Sequence, residues 1–246
     1  MSMGMFFWVK KVTPFVVVAI DGSGDFTDIQ TAIDTLPASG GTVYIKPGDY
    51  TITATITIPS DNVTLMGSGR STKIIATTNI HLISIDPGTT TNGSRISSLY
   101  IYGNNTRFGI YIVEVTKLTV DDVTIENCAA GIFMSHIASA RNTINNCHIL
   151  NNAGRGIWIQ DTSYQTVTSN IVTGNGGSGI EIGGGTQPCE SILIRGNSCL
   201  SNGAYGVDLL VEAERCIITE NTLLLNTTAP LRDLGVDNQI GHNITS

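Results

Sequence analysis

Gly109-Ile110-Tyr111-Ile112 returns as Gly131-Ile132-Phe133-Met134, Gly156-Ile157-Trp158-Ile159, Gly179-Ile180-Glu181-Ile182 and Gly206-Val207-Asp208-Leu209. The successive glycines lie 22, 25, 23 and 27 residues apart. A short unit recurring at this interval marks a solenoid, in which each turn of chain rests on the last. Within every unit an apolar residue, a variable one and another apolar one alternate, as in a strand with one buried face. Five such strands in one register predict a stacked parallel sheet.

A second motif runs in phase with the first. Asn146, Asn170, Asn197 and Asn221 are each followed five residues later by another Asn: Asn151, Asn175, Asn202 and Asn226. Turns buried between stacked coils leave backbone groups that no strand ladder satisfies. An Asn at the same corner of every coil can hydrogen-bond its neighbours above and below, and tolerates left-handed backbone angles. These eight residues are therefore expected to form ladders.

Composition fits and excludes several classes. Of 246 residues, 41% are hydrophobic and only 13% charged, as expected of a chain wound around a long internal axis. The net charge of −7 and the lack of any basic run longer than Lys10-Lys11 argue against nucleic acid as a partner. No apolar run approaches the roughly 20 residues that span a bilayer, so no membrane partner is expected. The five cysteines form no CxxC pair and show no metal-ligand spacing, and the acids show no calcium-loop spacing. No metal or cofactor is expected. Cys128 and Cys147 each follow an Asn of the repeat. They are read as small buried hydrophobes, stacked one above the other in adjacent coils, with a disulfide as the alternative.

Residues 1–20 hold Met5-Phe6-Phe7-Trp8, then Lys10-Lys11, then an apolar stretch from Pro14 to Ile20. The apolar run is short and no small-x-small site precedes Asp21, so this is not a convincing signal peptide. It reads as an N-terminal strand or attachment segment, and as the route to any homo-oligomer. Residues 21–246 read as one solenoid domain. After the turn Asp21-Gly22-Ser23-Gly24-Asp25, a helix is expected over 27–36, with Thr27 and Gln30 as its capping box and Ile29, Ile33 and Leu36 on one face. A raw solenoid end needs a cap, and this helix is placed to provide it. Five Asn-x-Ser/Thr sequences, at Asn62, Asn92, Asn104, Asn226 and Asn243, fit the glycosylation pattern.

The run Asp21-Gly22-x-Gly24-Asp25-Phe26, Ile29-Gln30-x-Ala32-Ile33-Asp34, Gly40-Gly41-Thr42-Val43-Tyr44-Ile45 and Pro47-Gly48-x-Tyr50 resembles the N-terminal region of the pectate lyase superfamily. The resemblance covers roughly residues 19–75 and, with the Asn and Gly-Ile repeats, most of the chain. It implies an all-β fold, a single-stranded right-handed parallel β-helix; the repeat of roughly 22–27 residues predicts about seven to nine coils, with the helix over 27–36 capping the N-terminal end. Members of that superfamily act on or bind polysaccharides along one sheet, and others are non-catalytic surface proteins or virus adhesins. The catalytic motifs do not carry over. The paired-Asp segments of pectin methylesterases have no counterpart. The epimerase Asp-Pro-His-Glu pattern has only Phe133-Met134-Ser135-His136 opposite it, with Phe for the acid and His one residue late. Asp121-Asp122 reads as a solvated turn and not as a polygalacturonase pair.

The repeat itself points to a groove. With the Ile positions inside, the outward row up the stack is Tyr111, Phe133, Trp158, Glu181, Asp208. Three aromatics on rungs about 4.8 Å apart form a hydrophobic face that could bind sugar rings. The two carboxylates above them would repel, raising one pKa, at about the 5 Å spacing that retaining glycosidases use. Glu181 and Asp208 are thus the candidate catalytic pair, and Tyr111, Phe133, Trp158, Gln160 and Asp161 the candidate substrate-binding residues. Tyr164, His136, Arg155 and Arg195 are further polar candidates for the same groove. Cross-strand packing is the alternative reading of the aromatics. Two functions follow: a polysaccharide-binding or polysaccharide-modifying protein, as a lyase, hydrolase or epimerase if it turns substrate over; or a non-catalytic surface, capsid or fibre component. An extracellular or virion-surface location fits both.

Overall fold

The computed structural model describes residues 14–86, 88 and 91–245. The chain is a parallel β-solenoid of about nine turns. Three long sheets run along it. Sheet 1 begins with Phe15–Val18 and Gly41–Ile45 and continues through Thr143–Asn145, Thr166–Thr168 and Leu193–Arg195 to Gln239–Gly241. Sheet 2 runs from Gly48–Ile52 and Thr72–Ala76 through His148–Leu150 and Ile171–Thr173 to Thr222–Leu224. Sheet 3 contains the Gly-Ile strands, from Ile56–Thr57 and Ile83–Ile85 through Ile157–Ile159 and Ile180–Ile182 to Ala229–Asp233. Two long extended runs, Arg95–Val113 and Thr119–Ser135, serve all three sheets in turn. Phe6, Phe7 and Trp8, with the oligomer contact expected of them, lie outside the described residues.

Alternation gives the core its composition. In Ile157–Ile159 and Ile180–Ile182 the two isoleucines are fully buried, and so are Val167, Val172 and Ile194 on the other sheets. Each such side chain contributes about 1.5–3 kcal/mol on leaving water. The repeated glycine is a matter of space: a Cβ on Gly156 would sit 2.4 Å from Val172 Cγ1 and 2.6 Å from the Gly179 carbonyl oxygen.

The Asn ladders exist, with a one-residue correction at their base. One column runs Asn170, Asn197, Asn221, Asn243, and the other Asn152, Asn175, Asn202, Asn226. The inner rungs share one form. The backbone N–H and side-chain amide of Asn170 both donate to Asn197 Oδ1, at 3.0 and 2.9 Å, and the same amide donates to the Ile144 carbonyl at 3.0 Å. Asn146 and Asn151 are not rungs. They are the residues just before a rung, and carry positive φ of 53° and 51°. Ser169, Gly174, Gly196, Ser201, Glu220 and Leu225 occupy the equivalent corners with positive φ. Corner and rung are adjacent residues with separate roles, one turning the chain and the next bonding it.

Cys147 stands at the base of the first column. The Cys147 N–H donates to Asn170 Oδ1, and its thiol lies 3.6 Å from the Val120 carbonyl, where an Asn amide would reach. Cys128 stands at the base of the second column, its N–H donating to Asn152 Oδ1. The two cysteines are therefore in different columns and not stacked on one another. All five cysteines are buried, and burial pushes the Cys147 and Cys199 thiols up to about 12. A third, partial column sits where the chain enters sheet 1. There Leu118 N–H donates to Asn142 Oδ1, Asn142 N–H to Gln165 Oε1 and Cys216 N–H to Asn238 Oδ1.

The capping helix is shorter than the expected 27–36: it spans Ile29–Asp34, and its cap falls one residue later than Thr27. Asp28, in extended conformation, is the N-cap and accepts from Thr31 N–H at 2.7 Å. Gln30 is thereby free to bond elsewhere. Its amide accepts from Thr57 N–H at 2.7 Å and donates to the Thr57 carbonyl at 3.2 Å. The side chain thus stands in for a strand at the open edge of sheet 3.

Leu225 offers a test of the corner geometry. It has φ of 59° and is 83% exposed, so it carries left-handed strain with little burial to offset it. Leu225→Asn is expected to raise stability by about 1 kcal/mol, because Asn tolerates this region at far lower cost. A lower melting temperature in the variant would contradict the account.

Candidate functional site

The outward row of sheet 3 is in register as the repeat implies. Tyr111 pairs with Phe133, Phe133 with Trp158, Trp158 with Glu181 and Glu181 with Asp208. The row extends below to Ser84 and Thr57, and above to Arg232.

Its aromatic part is larger than the sequence repeat reveals. Phe108 and His81 join from the residues leading into the strands. His81 stacks on Tyr111 and Phe108 at 4.5 and 5.1 Å, Phe108 on Phe133 at 5.0 Å, and Tyr111 on Phe133 at 5.5 Å, all within about 22° of parallel. Stacked rings cover one another's faces, which leaves edges to line the groove. Phe133 is only 8% exposed. With Arg107 and Ala129 these rings enclose a recess of about 430 Å³. His81 Nδ1 is buried there with no hydrogen-bond partner among the described residues. Burial, then the charge of Arg107, holds the imidazole below its usual pKa, and burial raises the Tyr111 phenol.

Trp158 is a joint between two halves of the row. Its edge meets Phe133 at 4.8 Å and 64°, its indole N–H donates to the Gly183 carbonyl at 3.0 Å, and Arg155 lies 4.2 Å above its ring. Arg155 Nε also donates to Glu181 Oε1 at 2.6 Å. One rung on, Arg232 clamps Asp208 through two bonds of 2.7 and 2.8 Å while lying 4.4 Å over the Tyr205 ring, and Ser178 lies 3.2 Å from the same carboxylate. The acids therefore do not face each other unscreened. Glu181 does sit above its ordinary pKa, but burial is the leading cause, Arg155 pulls the other way and Asp208 adds a smaller push. Glu181 and Asp208 are 6% and 2% exposed.

Along one wall, Asp161 braces a loop. Its Oδ1 accepts from Thr186 and Gln187 N–H at 2.6 and 2.7 Å, and its Oδ2 accepts from Gln160 at 3.2 Å. Glu212 helps by accepting from Gly184 N–H at 3.0 Å. His136 pairs with Glu114 at 3.1 Å, and Tyr164 is an exposed corner residue with φ of 60°. Arg195 lies elsewhere: it is on sheet 1, paired with Glu220 at 2.8 Å. Asp121 accepts from Arg95 on the same sheet. Sequence reasoning missed His81, Phe108, Arg107 and Arg232. Phe108 and Arg107 immediately precede the first Gly-Ile unit, and Arg232 falls on the row once the repeat is extended by one coil. His81 precedes a strand, Ile83–Ile85, that has no glycine to announce it.

Three comparisons place the chain among known proteins. A putative pectinesterase/pectinesterase inhibitor of Arabidopsis thaliana is 43% identical over 74 residues, 29% of this chain and 12% of that protein. A pectinesterase of Daucus carota is 35% identical over 94 residues, 37% of this chain and 28% of that protein. The chain thus spans less than a third of either relative. Among solved structures, the A-module of a mannuronan C-5 epimerase from Azotobacter vinelandii superposes with TM-score 0.66 at 22% identity, covering 92% of this chain and 75% of that one. The catalytic domain of an α-1,3-glucanase in complex with nigerose gives 0.67 at 19% identity, covering 92% and 44%. At such identities these structures speak for the fold alone. The family described as the right-handed β-helix region matches residues 42–228, and with three parallel sheets and their Asn ladders already traced, the chain belongs to that family.

Proposed function

We propose that this protein binds a polysaccharide along sheet 3, with the aromatic recess as the main sugar contact and the arginine-clamped acids as its polar continuation. The observation that carries the reading is the recess itself: His81, Phe108, Tyr111 and Phe133 converge on about 430 Å³ of open volume beside an exposed Arg107. Pockets of this size, mostly apolar with a few polar groups, suit small ligands or single units of a polymer. Support also comes from the names of similar proteins, which include pectinesterases, a mannuronan epimerase and an α-1,3-glucanase.

Tyr111, Phe133 and Trp158 are assigned to the substrate, with ring edges as the contacting surface. Gln160 and Asp161 shape the wall, since Asp161 fixes the loop over residues 183–187 from which a chain would be gripped. Glu181 and Asp208 each hold an arginine in place, which favours binding over turnover. A glycan-array screen followed by titration tests the reading. Tyr111→Ala is expected to weaken oligosaccharide binding by about 1 kcal/mol, the loss of roughly 50 Å² of apolar ring-edge contact at about 25 cal/mol per Å². Tyr111→Phe should retain most of the affinity. An array with no hit, or a hit indifferent to Tyr111→Ala, would remove the proposal. Product analysis with Glu181→Gln separates the two catalytic outcomes: turnover in the wild type that this variant abolishes would make Glu181 catalytic.

A further inference from the structure

The outer face of sheet 2 carries a cluster that the sheet 3 groove does not use. Lys73 and Tyr100 are register partners on adjacent rungs, and Tyr102 follows on the same strand. The Lys73 ammonium lies 4.6 Å from the Tyr102 ring centre and 5.0 Å from that of Tyr100. Arg70, from the short 3-10 turn Gly69–Ser71, places Cζ 4.8 Å from the same Tyr100 ring, and its Nη1 donates to Thr124 Oγ1 at 3.3 Å. Two cations therefore share one aromatic ring.

Neither is bonded to a carboxylate among the described residues. Glu126, the register partner of Tyr102 on the next rung, is already engaged: it accepts from the Tyr100 hydroxyl at 2.7 Å and from the Asn151 amide at 3.2 Å. Asp49 is in register with Lys73 on the rung below, yet neither Lys73 nor Arg70 forms an ion pair among the described residues. Burial and the bond to Glu126 push the Tyr100 phenol up to about 12, so it stays neutral and supplies no counter-charge. Two cations without an ion-pair partner among the described residues thus lie over one tyrosine ring, with Glu126 held at that ring's hydroxyl. An oxyanion at the rim of that ring would take charge-assisted bonds from the cations seated on it.

We propose that Arg70 and Lys73, seated on Tyr100 and Tyr102, form a second ligand site that takes the carboxylate or sulfate group of an acidic saccharide. That the carrier is a saccharide rests on the function proposed above, whereas the oxyanion seat stands without it. The test follows Tyr100 and Tyr102 ring resonances while the protein at low salt is titrated with glucuronate, with glucose as the uncharged control and inorganic sulfate as the carrier-free probe. Glucuronate and sulfate are expected to shift these resonances, and glucose not. Lys73→Met and Arg70→Met should each weaken both anions about tenfold or more, with the melting temperature held because the Met stem keeps the ring contact. Lys73→Arg should restore binding. Tyr100→Phe gives a readout that mere packing would not: it frees Glu126 to act as an internal competitor, so anion affinity should fall although both cations remain. Unchanged affinity in the two Met variants, or no response to either anion in the wild type, would overturn the site. Sulfate binding without glucuronate binding would reject the saccharide and leave the seat. Tyr111→Ala, on another sheet, should not alter these shifts, which keeps this outcome separate from that of the groove.

Discussion

Asn197→Ala is expected to destabilise the protein by about 3–5 kcal/mol, more than any other single change considered. Asn197 Oδ1 accepts from the Asn170 backbone N–H and side-chain amide, and its own amide donates to the Val167 carbonyl and to Asn221 Oδ1. Truncation takes the acceptor from the Asn170 N–H and the side-chain donor from the Val167 carbonyl, and leaves Asn221 Oδ1 only the backbone N–H of residue 197, all inside the coil, where Asn170, Asn197 and Asn221 are at most 1% exposed. A buried polar group left without a partner costs about 1–3 kcal/mol, and two such groups, with the weakened bonding of the Asn170 amide and Asn221 Oδ1, account for the loss. Asn243→Ala is the internal control. It ends the same column, is only partly buried, and bonds Asn221 and the Ile218 carbonyl alone, so about 1–2 kcal/mol is expected. Equal losses from the two substitutions in chemical denaturation would show that the ladder does not act as a chain of dependent bonds.

The second large effect comes from breaking the ion pair at the end of the aromatic row. Arg155→Met leaves Glu181 almost fully buried beside Asp208 without its cation. Breaking a buried pair costs about 3–5 kcal/mol, and the 39% exposure of the arginine side chain discounts this to about 2–3. The loss depends on pH in a definite direction. Burial already holds the folded Glu181 pKa above its unfolded value, so its contribution to stability is complete below the unfolded pKa and is lost as pH rises through the folded one. Removing Arg155 takes away a lowering influence and moves the folded value higher still. The variant should therefore melt close to the wild type near about pH 4 and well below it near about pH 8. A deficit of the same size at both values would place the cost in lost packing against Trp158 and not in the carboxylate.

The fold was legible because a stacked coil imposes one rule on residues about two dozen apart. The Gly-Ile units give the register of sheet 3 directly, since a Cβ on the glycine would strike the next coil. The Asn spacing located the corners but blurred them by one residue. Asn suits both the left-handed corner and the hydrogen-bonding rung, so Asn146-Cys147 and Asn151-Asn152 read alike in sequence while the chain gives their two positions different work. The helix start shifted for a similar reason: Thr27 and Asp28 are both good caps, and the extended backbone at Asp28 decided for the second.

The site was legible as a row and much less so as chemistry. Alternation alone placed Tyr111, Phe133, Trp158, Glu181 and Asp208 in line. It could not say that ring planes lie parallel to one another and present edges. Nor could it say that Arg155 and Arg232, each a coil position away from its acid, would fold across and engage both carboxylates. Those features depend on side-chain direction and on contacts from neighbouring coils, which a repeat does not encode.

The ladder also sets where a lineage of such proteins can lengthen. From Cys147 to Asn152, Asn170 to Asn175, Asn197 to Asn202 and Asn221 to Asn226, the arm between the two columns is five residues every time. Whole turns meanwhile vary, with column neighbours separated by 23, 27, 24 and 22 residues. The longest turn contains the loop braced by Asp161 and Glu212. One residue inserted into an arm would break two columns together, whereas residues added beside sheet 3 leave every rung in place and only deepen a groove wall. Inheritance can therefore edit the outer surface of sheet 3 freely while copying the scaffold in whole turns.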